Sequence, residues 1–249
     1  MSDNLLAVLP VITHTYADAC VASMLAPDNA WGVEPADVLV VDNTMAGSCT
    51  YPLRTYRDPE GHNLGVARSW NVGAREVLDR GLDYLVLVSA SMLFGPIMHT
   101  TWRAQMDTFW GCDVIESTGN SWHLLALHRR VLEAVGLFCS GFYPAYVEQI
   151  DYGYRMRQVG MEDTGREHGW RNVWCNAMSQ AVAGHLPAVA CPWGPLDQLY
   201  QARWGGPKGA EQWVLPYGDR PLDYDADADT PIPVLAERYG LGQRGKDWW

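Results

Sequence analysis

Short apolar runs alternate along this chain with segments of helical period. Leu5–Ile12 (LLAVLPVI) is apolar throughout and predicts a buried strand. Thr13–Tyr16 reads as a polar loop and Asp18–Leu25 as a helix. Asp37–Val41 (DVLVV) predicts a second strand, ending at Asp42-Asn43. Leu64–Asp79 places Ala67, Trp70, Asn71, Ala74, Val77 and Leu78 on one broad face, which predicts a helix. Gly81 follows it, and Tyr84–Val88 is the next buried strand, stopping at Ser89-Ala90-Ser91. Val114–Ile115 and Trp122–Leu127 predict further strands. Arg129–Val135 predicts a short helix, and Glu148–Val159 another that ends at Gly160. From about Thr164 the pattern weakens, and prolines from Pro187 to Pro233 predict a loop-rich extension.

Strand and helix in alternation predict an α/β fold with a mostly parallel central sheet flanked by helices. Such sheets bind ligands beyond the carboxyl ends of their strands. Thr13, Asp42 and Ser89 all sit at such ends, so one crevice can gather them.

Composition narrows the classes. The chain has 249 residues, 48% hydrophobic and 19% charged, which is globular rather than disordered. A formal net charge of −11 argues against a broad nucleic-acid surface, which needs excess Lys and Arg. No apolar run is long enough to span a bilayer, and MSDNLLAVLP lacks a basic secretory start, so the expectation is a cytoplasmic protein. Six cysteines without a CxxC pair read as reduced thiols. Asp223–Asp229 (DYDADAD) lacks the Gly and closing Glu of an EF-hand loop and reads as a solvated acidic turn. No G-x-G-x-x-G follows any strand, which disfavours a dinucleotide oxidoreductase. The turn after the first strand has neither Gly nor Lys, which disfavours a nucleotidyltransferase.

Several segments, in order, carry a resemblance. Thr13-His14-Thr15-Tyr16 follows the first strand, and Val41-Asp42-Asn43 ends the second. Asn63-Leu64-Gly65-Val66-Ala67-Arg68-Ser69-Trp70-Asn71-Val72-Gly73 matches an Asn-x-Gly-x-Ala-x-x-x-Asn-x-Gly helix start. Later come Gly136-Leu137-Phe138, Phe142-Tyr143-Pro144-Ala145-Tyr146, Glu148-Gln149-Ile150-Asp151 and Tyr200-Gln201-Ala202-Arg203-Trp204-Gly205-Gly206. Together, from Leu5 to Gly206, this resembles a GT-A-fold glycosyltransferase of inverting family 2. The family's acidic Asp-x-Asp motif is replaced here by Ser89-Ala90-Ser91.

The resemblance implies a GT-A catalytic domain over 1–186, with a donor half to about 91 and an acceptor half over 92–186. Residues 187–249 would form an extension packed on the same domain. It implies a nucleotide-sugar donor, UDP-linked, and a glycan, protein or small-molecule acceptor attacked with inversion. Thr13, Thr15, Asp42, Asn43 and Arg68 would bind the nucleotide. Ser89, Ala90 and Ser91 would meet the donor phosphate or sugar. Trp204 and Gly205 would lie on the acceptor side; otherwise Trp204 is a packing residue beside a turn. Glu148 and Asp151 share a helix face. Glu148 would be the catalytic base, with Asp151 its structural neighbour and a partner of Arg155.

The family's metal, Mn or Mg, would normally sit on the missing carboxylates. His185 stands where a later metal-binding His would be, but a lone His is a poor site for these oxygen-seeking ions. Three outcomes stay open. Arg68, Arg203, Lys208 or amide donors could neutralise the diphosphate without metal. Asp113 or Glu116 could supply a ligand. Or the chain is a catalytically degenerate GT-A domain that serves binding or scaffolding.

Overall fold

The computed structural model describes residues 4–44, 49–119, 122–161, 169–180, 192–218, 225 and 227–241, the Thr15 side chain excepted. In chain order the strands are β1 (Leu5–Val11), β2 (Val38–Asp42), β3 (Arg54–Tyr56), β4 (Tyr84–Val88), β5 (Met92–Phe94), β6 (Val114–Ser117), β7 (Leu124–His128), β8 (Trp170–Val173) and β9 (Ala177–Ser179). The helices are α1 (His14–Leu25), α2 (Gly65–Arg80), α3 (Trp102–Thr108), α4 (Arg129–Val135), α5 (Glu148–Gln158), α6 (Trp193–Trp204) and α7 (Ile232–Arg238).

Seven strands make one sheet in the order β3-β2-β1-β4-β7-β6-β8, and β5 pairs with β9 apart from it. The pairs β3–β2, β2–β1, β1–β4 and β6–β8 are parallel, while β7 runs antiparallel to both neighbours. Every residue of β1, β2 and β4 is buried, as their apolar runs require of strands covered on both faces. The two faces of β1 divide the core. Leu6 and Val8 meet α2, α4, α5 and α7. Leu5, Ala7, Leu9 and Val11 meet α1 and α3.

The glycine- and asparagine-rich start of α2 has a packing cause. A Cβ on Gly73 would lie 2.0 Å from Val8 Cγ2, so only a bare backbone lets α2 approach β1 this closely. Asn71 exchanges two hydrogen bonds of 2.8 Å with the backbone of Phe138, fastening α2 to the segment after α4. Gly65 has φ of +71°, and a Cβ there would lie 2.6 Å from the Pro144 carbonyl.

Three departures from the sequence pattern bear on the site. The first helix starts at His14, so the expected loop at Thr13–Tyr16 is mostly helix. Two helices, α6 and α7, stand where only loop was expected. Leu196, Tyr200 and Trp204 of α6 form a third core cluster with Phe142, Val147 and Tyr154. The acidic stretch at 223–229, where described, is paired rather than solvated. Asp227 binds Arg238 through both oxygens at 2.9 and 2.8 Å, and Asp225 accepts from the Ser140 amide at 2.9 Å. No described helix is long and apolar enough to cross a membrane.

Candidate active site

Because β7 opposes β4, its start lies at the carboxyl end of β4, where the Ser89 amide donates to the His123 carbonyl at 2.8 Å. A cleft of about 290 Å³ opens there. Its floor is the end of β1 (Pro10, Ile12, Thr13) and of β4 (Val88 to Ser91). Tyr16 of α1 and Val66 and Trp70 of α2 form one side, Trp122 and His123 another. Ala145, Tyr146, Glu148 and Gln149, leading into α5, close it.

On the β4 side the chemistry is neutral. Ser89 Oγ and Ser91 Oγ lie 2.8 Å apart, and Ser91 Oγ is 3.3 Å from Ser179 Oγ. Burial pushes the His123 imidazole below its ordinary pKa, so it is neutral at neutral pH.

The α5 side carries an acid. Glu148 is 3% exposed and begins the helix. A helix start favours negative charge, yet burial wins. Desolvation, opposed by its own amide and aided by Asp151, pushes the carboxyl up to about 8. Glu148 Oε2, Gln149 Oε1 and Trp70 Nε1 are buried polar atoms without a hydrogen-bond partner among the described residues, and all three residues line this cleft. Their clustering marks a place built for a polar ligand. Trp122, Tyr146 and Val147 have φ of 58°, 73° and 70°. Left-handed backbone at non-glycine residues costs ~1–3 kcal/mol each and gathers at functional sites.

Asp151 faces away from the cleft. Its Oδ2 accepts from Arg155 Nε at 3.0 Å. Its Oδ1 accepts from Trp204 Nε1 at 2.9 Å and lies 2.8 Å from Arg203 Nε. Arg203 and Trp204 are therefore structural. Trp204 is fully buried, edge-on to Tyr154, and offers no face to a sugar. Gly205 is the left-handed cap of α6, with φ of +74°. The buried, paired Arg203 does not reach the cleft as a phosphate donor.

The expected nucleotide residues are only partly together. Thr13 lines the cleft; Thr15 lies on α1, its side chain outside the described residues. Asp42 sits one strand further out, in register with Val11. Its Oδ1 accepts from the Thr44 amide and hydroxyl at 2.8 and 2.7 Å, and its Oδ2 from the Cys49 amide at 3.2 Å. Burial opposes its charge, but these bonds outweigh burial and hold it below the ordinary carboxylate range. Asn43 bridges to α2, donating to Ser69 Oγ and accepting from the Leu64 amide, both at 2.9 Å. Arg68 turns to the C-terminal segment, donating to the carbonyls of Asp227 and Thr230, and does not line the cleft.

The described residues do not fit a divalent cation. Hard cations want several charged oxygens. The end of β4 offers hydroxyls, and the nearby acid in the cleft resists ionisation. Asp113 is paired with Arg130 at 2.5 Å, and Glu116 accepts from Trp170 Nε1 at 3.0 Å; neither lines the cleft. No cluster of three metal-ligating side chains occurs among the described residues. His185 lies outside them.

Sequence reasoning missed Tyr16, Trp70, Trp122, His123 and Tyr146 as lining residues. Each lies in a helix, a strand entry or a turn whose orientation only the packed chain defines.

No protein-family model matches the sequence, and no curated protein does. Solved structures are similar in fold. The mannosyltransferase PcManGT of Pyrobaculum calidifontis, solved with GDP-Man and Mn2+, is 11% identical at a TM-score of 0.51. The match covers 96% of this chain and 73% of that one. GalNAc-T7, solved with UDP, GalNAc and Mn2+, is 11% identical at a TM-score of 0.48, over 96% of this chain and 55% of that one. With its mostly parallel seven-stranded sheet flanked by helices, this chain has a GT-A-like fold.

Proposed function

We propose that the chain is an inverting glycosyltransferase of the family 2 kind. It takes a nucleotide-sugar donor, UDP-linked by that resemblance, and passes the sugar to a hydroxyl acceptor. The observation that carries this reading is Glu148, a desolvated carboxyl in the strand-end cleft with one oxygen unpartnered among the described residues. A carboxylate with a pKa of about 8 is a stronger base than an ordinary one and ionises near working pH.

In the proposed step Glu148 takes the proton of the acceptor hydroxyl. The freed oxygen pair forms a bond to the anomeric carbon, and the bond from that carbon to the diphosphate breaks. The nucleoside diphosphate leaves with the electron pair. Ser89, Ser91 and His123 surround the place where that charge would develop, and preorganised neutral donors can stabilise it. Thr13 and Tyr16 would hold the nucleotide end. Residues 1–186 would act as the catalytic domain, with 187–249 an extension that fastens α5 through Arg203 and Trp204.

One observation favours a second reading. A cleft with serines in place of the acidic motif suits a GT-A domain that binds a nucleotide sugar without turning it over. Calorimetric titration of UDP, GDP and dTDP and their sugars, each with Mn, with Mg and with EDTA, separates the readings. The expected result is binding of one nucleotide in EDTA, followed by sugar transfer. Binding without turnover selects the second reading. No binding under any condition sinks both.

A further inference from the structure

A second cavity, of about 410 Å³, opens on the other side of the first turn of α5. It falls within the ~300–1,000 Å³ common for small-molecule sites. Val147 and Ile150 of that turn line it, with Trp193, Asp197 and Tyr200 of α6 and Lys208 beyond. Tyr146, Glu148 and Gln149 of the same stretch line the cleft already described. One turn of helix is therefore the shared wall of two cavities, and its residues alternate between them.

Trp193 lies where the two cavities come closest through their lining residues. Its side chain is 52% exposed, and its ring lies against that of Tyr146, with centroids 4.6 Å apart and planes tilted 32°. Half a tryptophan left in water at a cavity mouth is an apolar platform awaiting a partner. Asp197, whose Oδ2 already accepts from Gln201 Nε2 at 2.6 Å, and Lys208 bring one negative and one positive charge, so the cavity has no net preference for an ion. A carboxylate accepts hydrogen bonds and an ammonium donates them. An occupant that stacks on the indole, satisfies both polar groups and carries no charge has one apolar face and a rim of hydroxyls. That is a sugar ring.

We propose that this cavity is the acceptor subsite and takes a neutral glycoside. One sugar ring stacks on Trp193, its hydroxyls meet Asp197 and Lys208, and the attacking hydroxyl passes Tyr146 toward Glu148. The assignment to the acceptor rests on the reading of Glu148 as base. A nucleotide base would also stack on an indole, but its diphosphate would bring two or more negative charges to a cavity where the one cation among the described lining residues, Lys208, is offset by Asp197.

The test uses saturation-transfer NMR on the full chain with maltose, cellobiose, chitobiose and methyl α-mannobioside. Wild type, Trp193→Ala, Trp193→Phe and Asp197→Asn are compared, with calorimetry of UDP in parallel. At least one disaccharide is expected to bind. Its Kd should rise about tenfold or more in Trp193→Ala and stay within about threefold in Trp193→Phe. Asp197→Asn should weaken it about threefold to tenfold. UDP affinity should not change in any variant. Four results overturn the proposal: no disaccharide binds, binding ignores Trp193→Ala, UDP competes the sugar away, or Trp193→Ala abolishes UDP binding. Trp193-dependent disaccharide binding in a protein that binds no nucleotide would sink the transferase reading while leaving the glycoside site standing.

Discussion

Glu148 and Asp151 lie three residues apart on α5, and both are buried. Their surroundings differ completely. Away from the cleft Asp151 meets two guanidinium groups, one from α5 and one from α6, and an indole N–H. On the cleft side Glu148 meets no cation among the described residues and keeps an oxygen without a partner among them. One acid is paired with neighbours that also hold it still. The other is pressed toward its neutral form and left reactive. Burial alone does not decide what an acid does; the partners supplied with it do. Two of the three partners of Asp151, Arg203 and Trp204, come from a segment of chain some fifty residues away, so α6 helps to fix the turn that bears Glu148.

Four experiments would break or sharpen this contrast. Glu148→Gln should lower sugar transfer about 10²–10⁴-fold, measured as nucleoside diphosphate release, with nucleotide affinity retained. Activity within about threefold of wild type would remove Glu148 as base. Asp151→Asn should cost about 3–5 kcal/mol of stability in urea unfolding, because it leaves Arg155 and Arg203 buried beside an uncharged partner. An equal loss in Glu148→Gln would erase the difference between the two acids.

The third experiment follows pH. The folded-state pKa of Glu148 is raised from 4.5 to about 8, so the folded chain binds the proton more tightly than the unfolded chain. Glu148 therefore costs nothing below the unfolded value. Its cost grows as pH climbs toward the folded value and is complete above it. Glu148→Gln should melt progressively higher than wild type between about pH 5 and pH 8, by on the order of a few kcal/mol at the upper end. A gap that stays constant with pH would mean the carboxyl is not desolvated. The smallest effect belongs to Gly73→Ala, far from both acids. Its Cβ would overlap Val8 and should cost about 1–3 kcal/mol in thermal unfolding while leaving nucleotide affinity unchanged.

Legibility in the sequence followed the same division between self-contained and borrowed features. β1, β4, α2 and α4 are readable because each carries its own apolar run or helical face. β3 is exposed along its whole length, and β5 and β9 span three residues each, so no run announces them. α6 and α7 were hidden by prolines that look like breakers. Pro192 and Pro195 sit at the cap and first turn of α6, and Pro231 and Pro233 do the same for α7. Proline is tolerated there because those amides have no helical partner. At the site, the Glu148–Asp151 spacing was readable, and so was the pairing of Asp151 with Arg155. Of the two readings open for Trp204, the structure bears out the packing residue, because Gly205 caps a helix whose last residue is core. Arg68 was misread because its partners, the carbonyls of Asp227 and Thr230, lie about 160 positions on.

The order of the cleft's parts along the chain has a consequence for how the protein is made. Every described residue that lines the cleft precedes position 150, while Arg203 and Trp204, which anchor α5, come more than fifty residues later. During synthesis from the amino terminus, the walls of the cleft emerge complete while the helix that bears Glu148, though held to the segment after α4, still lacks its α6 contacts. A ligand in the cell meets a finished pocket only after α6 has left the ribosome. Until then Asp151 has Arg155 alone of its three side-chain partners, and the turn that bears Glu148 rests only on what precedes it.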